Sequence, residues 1–558
     1  MPYSRLSRQF FARSLFAGIF AFVLTTQTLF AATGTRAMVA TADSLATDAA
    51  LKVLRRGGNA VDAAIAAQWV LNVVEPYSSG IGGGGFFMVY NAADRKVYTF
   101  DGREKAPRAV HPNLFIDKTG QPMPFWPDRV SGGLPVGVPG LLKMLEHVHK
   151  NFGSGTFTFG QLFEPAATIA EKGYYVSPRH AAFIESEKQR LALFTASSQI
   201  FFNAQGTPKL PGEVIFMPDL ARTFRLIAEK GSDVFYSGEI ARDIVLAVQQ
   251  APYHPGYMVL EDMKNYQIVE RAPISTTYRG HTIFGMGPPS SGGTTVLQTL
   301  NTLENFDFGS YSRVEQLSLL GQAQWLAFRD RNELLGDPDF VEVPVERLIS
   351  KEYAGGFASA LEIDRPEAIM GVKGAREPEH TSHISIVDEK GNIVSFTTTI
   401  EHLFGSALTV PGRGIILNNE LTDFEPIPQM ANSPMGGKRP RSSMSPTIVF
   451  KEGKPILVAG SPGGSKIIGI IINILVNVLD RKMPLEAAMA EPRILNREGP
   501  LEVEKEIMDH PDAVNTLKQW GFEITPAGPM GNAQAIQITD SGLIGASDPR
   551  GDGLAKGY

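Results

Sequence analysis

The sequence predicts an α+β protein in which antiparallel sheets are covered by helices, and three observations carry that expectation. Beyond about residue 380, apolar-alternating runs come in pairs around short turn-forming stretches. Helical stretches stand before and between those pairs. The chain has 558 residues, enough for two domains or one large layered core.

The first segment is unlike the rest. Arg5, Arg8 and Arg13 precede an apolar run at 14–24, and the small residues Ala31, Ala32 and Thr33 follow, which is the order of an export signal. The run is shorter than the roughly 20 apolar residues that span a bilayer. Residues 1–32 are therefore expected to be a signal peptide, with the mature protein soluble, periplasmic or secreted, and without a stable membrane partner. Neither Leu29 nor Phe30 is the small residue expected three positions before a cut, so an uncleaved N-terminal anchor is the alternative reading.

Residues 44–56 read as a helix with Asp43 or Ser44 as its N-cap; Leu45, Ala49, Val53 and Leu54 share one face, and Gly57-Gly58 stops it. A second helix over 60–73 is apolar nearly all round and is expected to be buried. A glycine run, Gly82–Gly85, opens into a strand at 86–90. Helices at 141–150, 220–230 and 314–329 alternate with Pro/Gly-rich loops. Hairpins follow: 383–387 with 393–397, 447–450 with 456–458, and 535–538 with 543–546. Between the last two lie a buried apolar helix near 466–479 and shorter helices near 484–490 and 510–519. No internal repeat or low-complexity stretch is present.

Composition excludes several function classes. There are 52 Lys+Arg against 58 Asp+Glu, so the basic excess of a nucleic-acid binder is missing. With no cysteine, disulfides, thiolate nucleophiles, Cys-ligated zinc and iron–sulfur clusters are all removed, leaving oxygen or nitrogen nucleophiles. The string Gly80-Ile81-Gly82-Gly83-Gly84-Gly85 fits G-x-G-x-x-G, but a helix precedes it and a strand follows, the inverse of a dinucleotide site. Nucleophile-elbow, Walker A and zincin motifs are absent. His380 and His383, beside Glu377 and Glu379, suggest a metal cluster only weakly; a solvated loop is expected there, and neither a metal nor a cofactor.

The stretch Pro378-Glu379-His380-Thr381-Ser382-His383 opens a half-buried strand, and Thr397-Thr398-Thr399 lies in its returning partner. Threonine is common in strands, so this alone says little. It stands, however, with Gly57-Gly58-Asn59-Ala60-Val61-Asp62-Ala63-Ala64, Asn418-Asn419-Glu420-Leu421-Thr422-Asp423-Phe424, Arg439-Pro440-Arg441-Ser442-Ser443-Met444-Ser445-Pro446-Thr447, Gly460-Ser461-Pro462-Gly463-Gly464 and Gly545-Ala546-Ser547-Asp548-Pro549-Arg550. On these motifs, over nearly all of the mature chain, the sequence resembles the gamma-glutamyltranspeptidase family of N-terminal nucleophile hydrolases.

The resemblance implies a four-layer αββα sandwich and a precursor that cuts itself between His380 and Thr381. The products would be a large subunit, 33–380, and a small one, 381–558. It implies Thr381 as the nucleophile, its freed α-amino group as base, and Thr399 as the second threonine that orients it. Gly463 and Gly464 match the oxyanion hole. Arg103 matches the residue that grips the substrate α-carboxylate, with Ser442 and Ser443 as hydroxyl partners, and Glu420 and Asp423 match the ammonium acceptors. The implied partners are a small γ-glutamyl substrate such as glutathione and an amino-acid or peptide acceptor.

Three departures bear on specificity. Glu401 stands where many members carry Asn as a third ammonium contact. Arg441 replaces a frequent Leu and is expected to add positive charge near the carboxylate pocket. The 425–437 segment is about ten residues shorter than in members with a lid over the site, judged by usual loop lengths. The alternatives are a glutaryl-type (cephalosporin) acylase on the same scaffold, an inactive periplasmic binding homologue, and a nucleotide-binding oxidoreductase resting on the glycine run alone.

Overall fold

The computed structural model describes residues 31–366 and 380–558. The run read as an export signal, and Glu377 and Glu379, lie outside the described residues. Among the described residues no helix is long and apolar enough to cross a membrane.

Two seven-stranded antiparallel sheets form the centre. The strands that matter for the site are Met38–Thr41 (β1), Gly84–Asn91 (β2), Lys96–Asp101 (β3), Ser382–Val387 (β4) and Ile393–Thr399 (β5) in the first sheet. Those of the second are Thr447–Lys451 (β6), Lys454–Gly460 (β7), Gln534–Thr539 (β8) and Gly542–Ser547 (β9). The first sheet runs β1-β4-β5-β2-β3, with Leu554–Gly557 outside β1 and Val269–Arg271 outside β3. The second runs from Ala32–Gly34 through β9-β8-β7-β6 to His281–Gly285 and Ile274–Tyr278. Strands from both sides of residue 380 therefore interleave in each sheet, and neither segment of the chain has a sheet of its own.

Side-chain alternation sorts the layers. Met38, Ala40, Met88, Val387, Ile448, Val458 and Ile536 meet between the sheets. On the other face of the first sheet, Ile384, Ile386, Val394 and Phe396 join the apolar faces of helices Ser44–Arg55 (α1) and Ala60–Val74 (α2). On the far face of the second, Val449, Leu457 and Ala535 pack with Gly292–Leu303 (α3), Arg313–Leu334 (α4) and Lys466–Leu479 (α5). The result is the expected αββα sandwich.

Local signals explain the elements nearest the site. The Asp43 carboxylate caps α1 by accepting from Leu45 N at 2.7 Å. Asn59 and Asp62 form a reciprocal capping box on α2, every residue of which is buried, as its all-round apolarity requires. In the β4–β5 turn, Asp388 accepts from Lys390 N and Asn392 N, both at 2.9 Å. Its second oxygen takes Ala60 N at 3.0 Å, fastening the hairpin to the start of α2. Helix α4 runs further than the sequence predicts, to Leu334, and carries the buried Phe328, Asp330 and Arg331 near its end.

One expectation is overturned. The polar stretch around His380 and His383 is not a solvated loop. His383 is fully buried between the sheets, with Nδ1 2.8 Å from Thr397 Oγ1 and Nε2 3.0 Å from Ser385 Oγ. Burial lowers its pKa to about 3, so it is a neutral hydrogen-bonding core residue.

The glycine run also acquires a physical role. β5 pairs with β2 so that Thr399 faces Gly84 and Thr398 faces Gly85. A Cβ on Gly83 would stand 2.1 Å from the Thr399 carbonyl oxygen, and one on Gly84 2.4 Å from Gly102 O. Side chains here would push β5 and the Arg103 turn apart. Gly83→Ala is expected to lower folding stability by about 1–3 kcal/mol, as overpacking against rigid neighbours does. A denaturant midpoint equal to wild type would contradict this reading of the run.

Candidate active site

The hairpin register Ser382↔Thr398 places Thr381 and Thr399 side by side, one step beyond the pair. Thr381 is nearly buried, at 5% exposure. The Thr399 hydroxyl donates to the carbonyl oxygen of His380 at 3.0 Å and accepts from Glu401 N at 2.8 Å. In the uncut chain the second threonine thus holds the carbonyl of the bond ahead of Thr381. The His380 ring packs edge-on to Phe183, centroids 5.4 Å apart, and burial lowers its pKa to about 3.

Both threonines line a narrow cleft with His380, Arg103, Glu401, Glu420, Asp423, Ser442, Ser443, Met444, Gly464 and Ile467. Arg103 follows β3 and is held by its backbone: its N–H donates to Asp101 Oδ1 at 2.9 Å, and its carbonyl accepts from Tyr266 OH at 2.8 Å. Its guanidinium bonds the carboxylates of Glu420 and Asp423 and donates to the carbonyls of Pro440 (3.2 Å) and Arg441 (3.0 Å). Burial opposes its charge, but Glu420 and Asp423 more than compensate, and its pKa is raised. The carboxylates sit on the turn Glu420–Asp423, set by two asparagines. Asn418 Nδ2 bonds Gly82 O (2.7 Å) and Gly137 O (2.8 Å), while Asn419 Oδ1 receives His402 N at 3.0 Å.

The cleft carries a surplus of acid. Glu401 joins Glu420 and Asp423 in its lining, with Glu104 behind them near Arg103 and Arg190 acting on Glu401; burial pushes Glu401 and Glu420 well above the usual carboxylate range and Glu104 to about 7. Such a site favours an incoming cation, or otherwise holds protons. Glu401 reaches the cleft from a left-handed backbone, φ 78°. A residue with a Cβ gives up roughly 1–2 kcal/mol there, and asparagine tolerates it better.

The serines are set from the large segment. Ser443 Oγ accepts from Arg331 Nη2 at 2.7 Å, Arg331 Nε donates to Ser291 Oγ at 2.9 Å, and Ser291 donates to Ser442 O from both its N–H (2.7 Å) and its hydroxyl (2.6 Å). The Arg441 carbonyl accepts from Arg103 Nη2 at 3.0 Å, while its guanidinium donates to Glu425 Oε1 at 2.8 Å and to the Arg331 carbonyl at 3.2 Å.

Gly463 and Gly464 occupy the loop between β7 and α5, both with positive φ (137° and 53°). The structure separates them: Gly464 lines the cleft, while Gly463 lines a second chamber that meets the cleft at His380 and Thr381. Glu75, Arg179, Phe183, Lys466 and Arg550 line that chamber too.

Sequence reasoning missed Glu104, Arg331, Ser291 and Glu75. Glu104 adjoins Arg103, and that adjacency was the available signal. Arg331 fell past the predicted helix end, and nothing local marks Ser291 or Glu75. Among the described residues, no group of three or more His, Cys, Asp or Glu is placed to hold a metal.

Four αββα layers with a hydroxyl residue opening a central strand are the layout of an N-terminal nucleophile hydrolase. The gamma-glutamyltranspeptidase family model matches residues 46–558, and the chain is an enzyme belonging to that family. The glutathione hydrolase proenzyme of Bacillus subtilis (strain 168) is 38% identical over 548 residues, covering 94% of this chain and 92% of that protein. The acylase ACY 1 proenzyme of Pseudomonas sp. (strain SE83) is 35% identical over 532 residues, covering 94% of this chain and 93% of its own. The crystal structure of cephalosporin acylase from Bacillus halodurans matches with a TM-score of 0.86 at 28% identity, covering 100% of this chain and 99% of that one. Membership in an enzyme family sets aside the binding-protein and oxidoreductase alternatives.

The raised Glu401 pKa has a signed consequence for stability. A carboxyl whose folded pKa lies above its unfolded value contributes stability in full below about pH 4.5, lost as pH rises through the folded value. Glu401→Asn, which also relaxes the backbone at any pH, is expected to exceed wild type in stability by more at pH 8 than at pH 4.5. Urea unfolding at both pH values checks this; equal differences at the two would refute it.

Proposed function

We propose that the chain cuts itself between His380 and Thr381 and then acts as a γ-glutamyl hydrolase and transferase through a γ-glutamyl-Thr381 ester. The Thr399 hydroxyl on the His380 carbonyl carries this reading. That hydrogen bond polarises the bond ahead of Thr381, in the same cleft as the Arg103 cluster. Thr381 Oγ attacks the His380 carbonyl carbon, the peptide nitrogen leaves as the Thr381 amine, and water opens the resulting ester. The products are residues 33–380 and 381–558, and the precursor is exported behind a signal at 1–32.

A threonine hydroxyl is a weak nucleophile until a base takes its proton, and the new α-amino group is such a base, with a reference pKa of about 7.7–8. In turnover Arg103 takes the substrate α-carboxylate with Ser442 and Ser443 beside it. Glu420, Asp423 and Glu401 take the α-ammonium, whose charge offsets theirs. Gly463 and Gly464 supply N–H groups to the tetrahedral oxyanion, each such donor being worth about 2.7–4 kcal/mol. Water, an amino acid or a peptide then accepts the acyl group from the second chamber.

A glutaryl-type acylase is the second reading, favoured by the acylase relatives. A glutaryl group lacks the amine, however, and brings no cation to Glu401, Glu420 and Asp423. Comparing γ-glutamyl and glutaryl p-nitroanilides separates the two. The γ-glutamyl compound is expected to have the higher kcat/KM, and the reverse order would establish the acylase. Arg103→Lys, which keeps the charge but loses the fork, is expected to raise the donor KM tenfold or more while self-cleavage proceeds. An unchanged KM would remove Arg103 from the carboxylate role.

A further inference from the structure

Glu75 closes the C-terminal end of α2 and is 4% exposed. Its Oε2 accepts from Ser382 Oγ at 2.7 Å and its Oε1 from Tyr77 OH at 3.1 Å. Ser382 follows Thr381 directly, and Glu75 lines the second chamber together with His380 and Thr381. A buried carboxyl is thus fastened to the residue next to the proposed nucleophile, although no step of self-cleavage or acyl transfer described above uses it.

We propose that Glu75 is a positioning residue that sets the basicity of the α-amino group of Thr381, acting through Ser382 from the second chamber. The inference rests on the reading of Thr381 as an N-terminal nucleophile. Cutting the chain at Thr381 creates an amine one residue from the Ser382–Glu75 hydrogen bond. A neighbouring carboxylate favours the ammonium form and raises the amine pKa, whereas neighbouring cations lower it.

The chamber holds both signs. Asp43, ahead of α1, adds negative charge near Glu75, and Asp552 lies near Asp43. Arg179 faces Glu75 from the helix Pro178–Leu191, its guanidinium over Phe183 and one N–H on Arg550 O at 3.0 Å. Lys466 lines the chamber from the start of α5. Arg550 is engaged by Glu504 at 2.7 Å and Asp548 at 3.1 Å, and His380 is neutral. Burial, opposed by the Ser382 and Tyr77 hydroxyls, raises the Glu75 pKa to about 7, so carboxyl and amine titrate in the same range. Their apparent pKa values then belong to the pair.

The test is the pH dependence of kcat/KM for a γ-glutamyl donor in wild type and Glu75→Gln, an isosteric change that keeps hydrogen-bonding capacity and removes the titration. Without the carboxylate the amine pKa falls, so the acid limb should move to lower pH by about one unit. A fully active Glu75→Gln enzyme with an unmoved acid limb would overturn the proposal and leave Glu75 as a brace for the turn after α2. If Glu75→Gln does not fold or cut, Tyr77→Phe carries the same test. Losing that donor raises the Glu75 pKa, leaves more of it neutral, and should shift the limb the same way; an unmoved limb again overturns it. Failure of the underlying reading looks different: Thr381→Ala would still be cut and active, whatever the limb does.

Discussion

How closely strand β5 lies against the glycine run governs the rest of the site. With no Cβ on Gly83 and Gly84, the Thr399 carbonyl and the Gly102 turn come within reach of one backbone. That approach fixes Thr399 opposite Thr381, places its hydroxyl on the His380 carbonyl, and sets Arg103 at the cleft wall. The same run gives Gly82 O to Asn418, whose side chain sets the turn bearing Glu420 and Asp423. One constraint of packing therefore positions the strand start at which we propose the cut and the residues that would read the substrate.

Charge supplies the second layer of organisation. Four carboxylates gathered about the buried Arg103 guanidinium, with Arg190 acting on Glu401, are costly to keep ionised, and burial raises the pKa values of Glu104, Glu401 and Glu420. An α-amino-acid head group brings both missing charges at once: a carboxylate for Arg103 and an ammonium for the acids. This is the physical reason to prefer a γ-glutamyl over a glutaryl donor despite the acylase relatives.

Much of this was legible in the sequence, and what was legible was local. Period-two alternation and turn chemistry marked the β4–β5 hairpin, and all-round apolarity marked α2 and α5 as buried. The layering and the site residues came through the family resemblance. What stayed hidden depends on contacts between distant segments. The neutral, buried His383 looked like part of a polar loop because its partners Thr397 and Ser385 matter only once the sheets stack. Glu75 and Ser382 are some three hundred residues apart, and no local pattern links them.

On the proposed reading, cutting the chain at Thr381 makes the catalyst, and intact mass spectrometry of freshly purified protein tests this most directly. Two polypeptides are expected, the smaller with the mass of residues 381–558 and an N-terminal threonine. A single uncut chain that nevertheless turns over γ-glutamyl donors, or a cut at any other bond, would contradict it.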